Sequence, residues 1–160
     1  MRIRVIVFIS IVLVSFGLTG FMTYQYVQVN GALSSFDMTV TEVFAVSIGP
    51  ENSQIRFTIM FRNLGTIPIS MSFYQFILYL GGSNIYVNTY QLDHDFLPGG
   101  ERSTAVLATI TGSRNDVVLQ ANSTGQWSWL VVTLAGLSVL YFRAEDVGVT
   151  YSDTYDGIVV

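Results

Sequence analysis

The chain has 160 residues, no cysteine and a formal net charge of -4 at pH 7. Without cysteine it has no disulfide bond, thiolate metal ligand or cysteine nucleophile, so its stability comes from packing. All basic residues are arginines and are scattered beyond the N-terminus, which excludes the basic patch that nucleic-acid binding requires. Only 11% of the residues are charged and 14% are aromatic, which predicts a surface partly covered by a protein partner or by lipid.

The first segment of the chain is apolar and uncharged. Arg2 and Arg4 are followed by no charged residue until Asp37. A helix over residues 3–22 rises roughly 30 Å at about 1.5 Å per residue, which matches the hydrocarbon core of a bilayer. Arginines on the N-terminal side place that end in the cytoplasm. The pattern predicts a single-pass membrane protein with a cytoplasmic N-terminus and an extracytoplasmic C-terminal domain.

Three alternatives compete with a retained anchor. A cleaved secretory signal has the same charged start, but residues between Gly17 and Gly20 offer only a weak cleavage site. A type IV pilin leader fits badly, because its apolar helix follows the processing site. In a purely soluble protein the segment would be a buried core helix. Tyr24 and Tyr26 stand where an outer interfacial belt would begin, which favours the retained anchor.

The sequence divides into residues 1–28 as the transmembrane anchor, 29–35 as a polar linker and 36–160 as one extracytoplasmic domain. About 125 residues suit a single domain with its own core. Its apolar residues alternate with period two, as where Ile55, Phe57 and Ile59 alternate with Arg56 and Thr58. In the first strand the even positions between Met38 and Ile48, which include Val40 and Phe44, would form the buried face, and the odd positions would form the other face. The domain is therefore predicted to be all-β.

Turn residues separate the predicted strands at Gly49-Pro50, Gly81-Gly82 and Gly99-Gly100. We predict strands over residues 38–48, 55–62, 71–80, 85–92, 103–111, 127–142 and 147–151. Residues 113–124 are predicted as one or two helical turns or a loop. The apolar run 127–142 is short for a second membrane span and contains Gly136, so a strand is favoured. Regular short strands and turns predict an antiparallel β-sandwich.

The middle of the chain carries a pattern of longer range. The run 61–69, Phe-Arg-Asn-Leu-Gly-Thr-Ile-Pro-Ile, leads to Phe73-Tyr74, to the glycine turn after Leu80 and to Leu97-Pro98-Gly99-Gly100. This order resembles the group 2 late-embryogenesis-abundant domain, also called the water-stress and hypersensitive-response domain, over roughly residues 37–151. In that family an apolar strand ends in Asn-Pro-Asn before the step to the proline. Asn63 and Pro68 carry over, whereas Leu64 and Gly65 replace the family's Pro and second Asn.

The resemblance implies an immunoglobulin-like antiparallel β-sandwich, often preceded by a single N-terminal transmembrane α-helix in membrane-bound relatives. It implies no enzymatic activity. Asn63 would cap a strand end or turn by bonding its side chain to nearby backbone, and Pro68 would set the entry of the next strand. Both implied roles are structural.

No catalytic, cofactor or metal site is predicted. The single histidine lies in Asp93-His94-Asp95, where neighbouring strand residues would point to opposite faces, and a solvated loop is the favoured interpretation. Glu145, Asp146, Asp153 and Asp156 lack the spacing of a calcium-binding EF-hand loop and are predicted as a solvated acidic tail. The chain has no Gly-x-Ser-x-Gly nucleophile elbow, and its glycine pairs do not precede a helix.

Three further features remain as predictions. Asn122-Ser123-Thr124 is a glycosylation sequon, which matters only if the domain faces outward in a host that glycosylates. Trp127 and Trp129 share one strand face and are predicted to lie in the core. Residues 157–160 would either add a strand to a neighbour's sheet edge or be disordered.

These features predict a non-catalytic, membrane-anchored β-sandwich that acts as a structural or protein-interaction module, for instance an accessory subunit of a membrane or envelope assembly. Its predicted partners are the lipid bilayer and other proteins, and not nucleic acid. The alternative is a lipid or apolar-ligand binding protein with a stress-protective role at the membrane. An apolar cavity inside the sandwich would favour the alternative.

Overall fold

A computed structural model describes the backbone of residues 2–139 and 147–159, and the side chains of residues 13–139 and 148–159. The elements in chain order are α1 (Arg2–Ser34), β1 (Phe36–Ile48), β2 (Asn52–Asn63), β3 (Ile69–Leu80), β4 (Ser83–Phe96), β5 (Glu101–Thr111), α2 (Ser113–Thr124), β6 (Ser128–Val139) and β7 (Val147–Asp156). Strands therefore occupy all of the predicted strand regions that are described, with bounds shifted by a few residues.

The strands form two antiparallel sheets, a three-stranded sheet in the order β1-β2-β5 and a four-stranded sheet in the order β4-β3-β6-β7. The predicted all-β sandwich is confirmed. Gly81 and Gly82, with φ of 54° and 82°, form a tight hairpin turn that keeps β4 beside β3. In this sandwich β4 is thus paired with β3 and not with β5.

The core lies between the sheets and is rich in aromatic side chains. The Phe57 ring lies 5.1 Å from that of Trp129 and 5.5 Å from that of Phe76, both in edge-to-face geometry, and all three side chains are fully buried. Trp127 stacks on Trp129 at 5.6 Å, and the Trp129 indole N–H donates to the Gly157 carbonyl at 3.0 Å. The two tryptophans share a strand face, as predicted, although Trp127 is only partly buried.

Strand β1 departs from the simple alternation that its sequence predicts. Its register with β2 shifts between Val40 and Glu42, so one extra residue enters the strand. Beyond this bulge the buried face moves from even to odd positions, because side chains alternate with a period of two. Val43 is fully buried, whereas Phe44 lies on the outer surface with its ring 5.0 Å from the Arg56 guanidinium carbon. The prediction of one even-numbered buried face was wrong.

Helix α1 continues through the segment that was predicted as a linker. Residues 29–35 are helical as far as Ser34, and Ala32 and Leu33 are buried against the sandwich. The linker prediction missed these apolar contacts, which hold the last turn of the helix on the domain. The predicted anchor, residues 1–28, includes residues 1–12, whose side chains lie outside the described part of the chain. Within the described part, no helix is long and apolar enough to cross a membrane.

Residues 113–124, predicted as one or two turns or a loop, form the 12-residue helix α2. Its inner side buries Val118 and Ala121 against the core, and Asn115 is buried beside them. The Asn115 side-chain amide donates to the carbonyls of Gly49 and Pro50, at 2.8 and 3.3 Å. Helix α2 therefore closes the end of the sandwich opposite α1.

The C-terminal strands also differ from the predictions. The apolar run after residue 127 is strand β6 up to Val139, paired with β3 and β7, and residues 140–142 lie outside the described part. Residues 153–156, predicted as part of a solvated acidic tail, belong to β7. The Asp153 carboxylate accepts a hydrogen bond of 2.8 Å from the Val40 backbone N–H at the bulge of β1. This hydrogen bond joins β7 of the four-stranded sheet to β1 of the three-stranded sheet.

The segment after β7 pairs with the edge of β1 in the same chain. Ala45 N–H donates to the Val159 carbonyl, and Val159 N–H donates to the Val43 carbonyl, both at 2.9 Å. Neither predicted alternative, pairing with a neighbouring molecule or disorder, describes this segment. The chain covers its own sheet edge because Gly157, at φ 103°, turns the backbone back across the sandwich.

Candidate interaction surfaces

The outer face of the four-stranded sheet carries no charged side chain over four successive rows of its ladder. Each row takes one residue from each of β4, β3, β6 and β7. The rows are Gln91, Phe73, Gly136 and Gly148; Thr89, Gln75, Leu134 and Thr150; Val87, Ile77, Val132 and Ser152; and Asn84, Tyr79, Leu130 and Thr154. We call these residues the uncharged face.

The uncharged face includes apolar side chains that are accessible to solvent. Val87 is 46% exposed and Leu130 is 38% exposed. The Phe73 ring covers Gly136 on the neighbouring strand, and a Cβ atom on Gly136 would overlap that ring. Gly136 therefore occurs inside a central strand because an aromatic ring takes the place of its side chain.

The outer face of the three-stranded sheet has a different character. It presents charged side chains in several of its rows, and Arg62 Nε lies 4.0 Å from Glu101 Oε2. The paired residues on this face include Asp37, Glu42, Arg56, Arg62 and Glu101. The two outer surfaces of the sandwich thus differ in charge, since one carries acidic and basic side chains and the uncharged face carries neither over its four rows.

A row of tyrosines lines the seam between the edge strands β4 and β5. The hydroxyl oxygens of Tyr86 and Tyr90 are 3.0 Å apart, and the Tyr90 ring stacks on that of Tyr74 at 5.2 Å. Burial raises the pKa of Tyr90 to about 12, with the hydrogen bond to Tyr86 as a second cause. Burial also raises the pKa of Tyr74, and the hydrogen bond to Thr104 partly offsets this increase. The hydroxyls of Tyr86 and Tyr90 bond to each other, that of Tyr74 bonds to Thr104 on β5, and together they close the seam.

We expect alkaline pH to destabilise the domain and Tyr90→Phe to weaken that dependence. A tyrosine in the unfolded chain titrates near pH about 10, and Tyr90 in the folded chain titrates at about 12. Its contribution to stability is therefore complete below the unfolded pKa and is lost as the pH rises through the folded pKa. Urea unfolding of both chains, followed by tryptophan fluorescence between pH ~9 and ~11.5, measures this effect. Identical pH dependence in the two chains would contradict it.

The single histidine and its neighbouring carboxylates do not converge. His94 lies in strand β4 and not in a loop, and its ring meets Phe96 edge-on at 4.7 Å. Asp93 sits at a bulge with φ 40°, and Asp95 pairs with Ser70 on the outer side of the sheet. Among the described residues, no group of three His, Asp or Glu side chains could hold a metal ion. Glu145 and Asp146 lie outside the described residues.

Asn63 and Pro68 occupy a buried corner at the α1 end of the sandwich. The Asn63 side-chain amide donates to the carbonyls of Ile67 at 2.8 Å and Phe96 at 3.0 Å, and its Oδ1 accepts from Gly65 N–H at 3.0 Å. Asn63 thereby ties the end of β2 to the end of β4. Pro68 is buried directly before β3.

The remaining candidate positions lie near α2. Asn122 is exposed in the last turn of that helix, at the end of the domain remote from α1. Two clefts open to solvent flank the helix, with volumes of about 230 and 450 Å³. Val117 and Gln120 line the first cleft, and Tyr86 and Arg114 line the second.

Sequence reasoning did not identify the uncharged face. A signal for it exists, because strands β3 and β6 contain no charged residue on either face. Such nearly continuous uncharged runs are typical of central strands covered on both sides. Alternation alone assigned one side of each strand to the core and left the other side uninterpreted.

No protein-family model and no curated protein matches the chain. Solved structures match its fold. The Northeast Structural Genomics Consortium target SoR45 matches with a TM-score of 0.55 and 10% identity, over 78% of this chain and 87% of that chain. AT1g01470 from Arabidopsis thaliana matches with a TM-score of 0.52 and 11% identity, over 74% and 78%. A putative late embryogenesis abundant protein, At2g46140.1, has a TM-score of 0.49 and 14% identity, over 86% and 76%.

Proposed function

We propose that this protein is a non-catalytic β-sandwich, held at a membrane by its N-terminal segment, that acts as a protein-interaction module and accessory subunit of a membrane or envelope assembly. The observation that carries the proposal is the uncharged face. Val87 and Leu130 are exposed on a sheet surface that has no charge over four rows, and such a surface suits contact with another protein.

The membrane anchor rests on the sequence. Residues 3–22 match the length and composition of a membrane span, and Arg2 and Arg4 orient the N-terminus toward the cytoplasm. The sandwich then lies outside the cytoplasm, with its α1 end nearest the bilayer. The α2 end, including the sequon at Asn122, points away from the membrane.

Binding of a lipid or apolar ligand inside the sandwich is the less favoured function. The interior is filled by side chains such as Phe57, Phe76 and Trp129, which pack ring against ring. The clefts near α2 are open to solvent and lie outside this packed interior. A contact surface therefore accounts for the architecture better than an internal ligand site.

Membrane anchoring is tested by alkaline carbonate extraction of cells that express the full chain or a variant lacking residues 1–28. We expect the full chain to stay in the membrane pellet and the shortened chain to be soluble. Protease added outside intact cells should digest the C-terminal domain of the full chain and spare a cytoplasmic control. Release of the full chain by carbonate, or protection of its domain, would overturn this part of the proposal.

The interaction role is tested by purification of the full chain in mild detergent. Proteins that co-purify with the native chain should be lost from Val87→Lys, which places a charge on the uncharged face. Val46→Lys is the matched control, since Val46 is 48% exposed on β1, outside that face, and Val87 is 46% exposed. Equal recovery of partners with both variants would contradict the assignment of the surface.

A further inference from the structure

We propose that two copies of this chain associate through the uncharged face, with one four-stranded sheet stacked on the other. The inference rests on the proposed function, because it names the partner of the surface from which that function is argued. The partner is a second copy of this chain, and the stacked sheets form a face-to-face pair about 10 Å apart.

Charge favours this face over the other outer surface for self-association. The chain has a net charge of -4, so copies repel each other wherever acidic surfaces meet. The outer face of the three-stranded sheet carries Glu42 and Glu101 together with Asp37, Arg56 and Arg62, so association there would desolvate charged groups of both signs. On the uncharged face, Ile77 and Val132 form the centre of the patch, and the border strands carry mostly hydroxyl and amide side chains, with Val87 and Gly148 as the exceptions. An apolar centre with a polar rim is the usual composition of a protein interface.

Three of the four sheet edges, those of β4, β7 and β1, carry features that oppose pairing with another chain. Asp93 and Asp95 lie on β4 at a bulge, and Asp156 lies near the end of β7. The edge of β1 is already bonded to Val159 and Asp153. Charges, bulges and covered edges oppose edge-to-edge association. Self-association is therefore directed to the face of the four-stranded sheet.

The geometry allows both copies to enter one membrane. A two-fold axis that runs along the strands, in the plane between the stacked sheets, keeps the strand directions of both copies the same. Both α1 helices then leave the pair at the same end, because α1 joins the sandwich at the start of β1. Each residue of the uncharged face takes part twice in such a pair, once from each copy.

The size of the patch sets the expected strength of the pair. At strand spacings of about 4.8 Å and a rise of about 3.4 Å per residue, the four rows cover roughly 19 by 24 Å. Two such faces remove on the order of 1,000 Å² from water, which is the lower limit for a specific interface. Anchoring of both copies in one membrane raises their effective concentration. The pair should therefore be prominent in membranes and sparse in dilute detergent.

Cysteine cross-linking of the full chain in phosphatidylcholine vesicles tests the inference. The native chain has no cysteine, so Leu130→Cys provides the only thiol on the uncharged face. Leu107→Cys is the matched control, since Leu107 is 49% exposed on the other outer face. With a bismaleimide of about 10 Å span, matched to the spacing of stacked sheets, we expect abundant covalent dimer from Leu130→Cys and little from Leu107→Cys.

Second substitutions in the Leu130→Cys chain show whether the face itself forms the contact. Val87→Lys should reduce the covalent dimer about tenfold, because it would bring a charge without an acidic partner against the facing sheet. Val46→Lys should leave the dimer unchanged. Tryptophan fluorescence of each variant checks that the core around Trp129 is intact. Equal cross-linking from Leu130→Cys and Leu107→Cys in folded protein would overturn the inference.

Cross-linking of the Leu130→Cys chain in native membranes distinguishes a failure of this inference from a failure of the proposed function. If the folded Leu130→Cys chain cross-links there only to a different protein, self-association is wrong and the interaction role stands. If it cross-links to no protein in native membranes or in vesicles, both are wrong. A covalent dimer in both settings supports both.

Discussion

Replacing Asn63 with alanine is expected to lower the free energy of unfolding by about 2–4 kcal/mol, because the side chain is buried and makes three hydrogen bonds to backbone groups. Removal of the amide leaves the carbonyls of Ile67 and Phe96 without that donor in a site closed to water. Urea unfolding of the full chain in mild detergent, followed by tryptophan fluorescence, measures the change.

Two variants make the Asn63 result specific. Asn122→Ala removes an exposed asparagine from α2 and should change stability by less than about 0.5 kcal/mol. Asn63→Asp should be at least as destabilising as Asn63→Ala, since a carboxylate oxygen would face the same two carbonyls and a buried charge would lack a partner. Full stability of Asn63→Ala would show that this corner contributes little to folding.

Replacing Phe57 with alanine is expected to cost about 3–5 kcal/mol, the usual range for the loss of a fully buried phenylalanine. Its ring contacts Trp129 and Phe76 from the opposite sheet, so the substitution leaves a cavity at the centre of the sandwich. The same urea titration measures the loss. The Trp129 emission should also shift to longer wavelength if solvent enters the cavity.

Phe44→Ala is the matched control for Phe57. Phe44 lies on the outer surface, where its ring contacts the Arg56 guanidinium at 5.0 Å, an interaction of about 0.5–1 kcal/mol at an exposed site. The expected difference between the two alanine variants is therefore several kcal/mol. The simple alternation of β1 predicts that Phe44 is buried, so equal losses would support the alternation against the observed bulge.

The local sequence pattern predicted most of the strands but not the bulges within them. Ile55, Phe57 and Ile59 alternate with polar residues, and β2 buries them as the period of two requires. The bulge after Val40 has no comparable signal, because its extra residue is accommodated by pairing with β2. The sequence around His94 likewise gives no sign that a bulge accommodates Asp93 within β4, so the prediction placed His94 in a loop.

Residue types predicted part of the buried corner around Asn63 and none of the uncharged face. The resemblance singled out Asn63 and Pro68, but the partners of Asn63 include the carbonyl of Phe96, which is distant in the chain. Leu130, Ile77 and Val87 come from three strands, and only their register brings them to one surface. Pairings of this kind depend on long-range contacts that no short window of sequence contains.

Residue type and local periodicity were sufficient to predict the β-rich class, the positions of the turns and the apolar N-terminal segment. The order of strands within the sheets, the phase of β1 and the helical continuation as far as Ser34 depend on tertiary contacts. These contacts also decided that residue 159 covers β1 and that one face of the sandwich lacks charge. These features arise when distant segments pack together and each segment determines which side of its neighbour remains exposed to water.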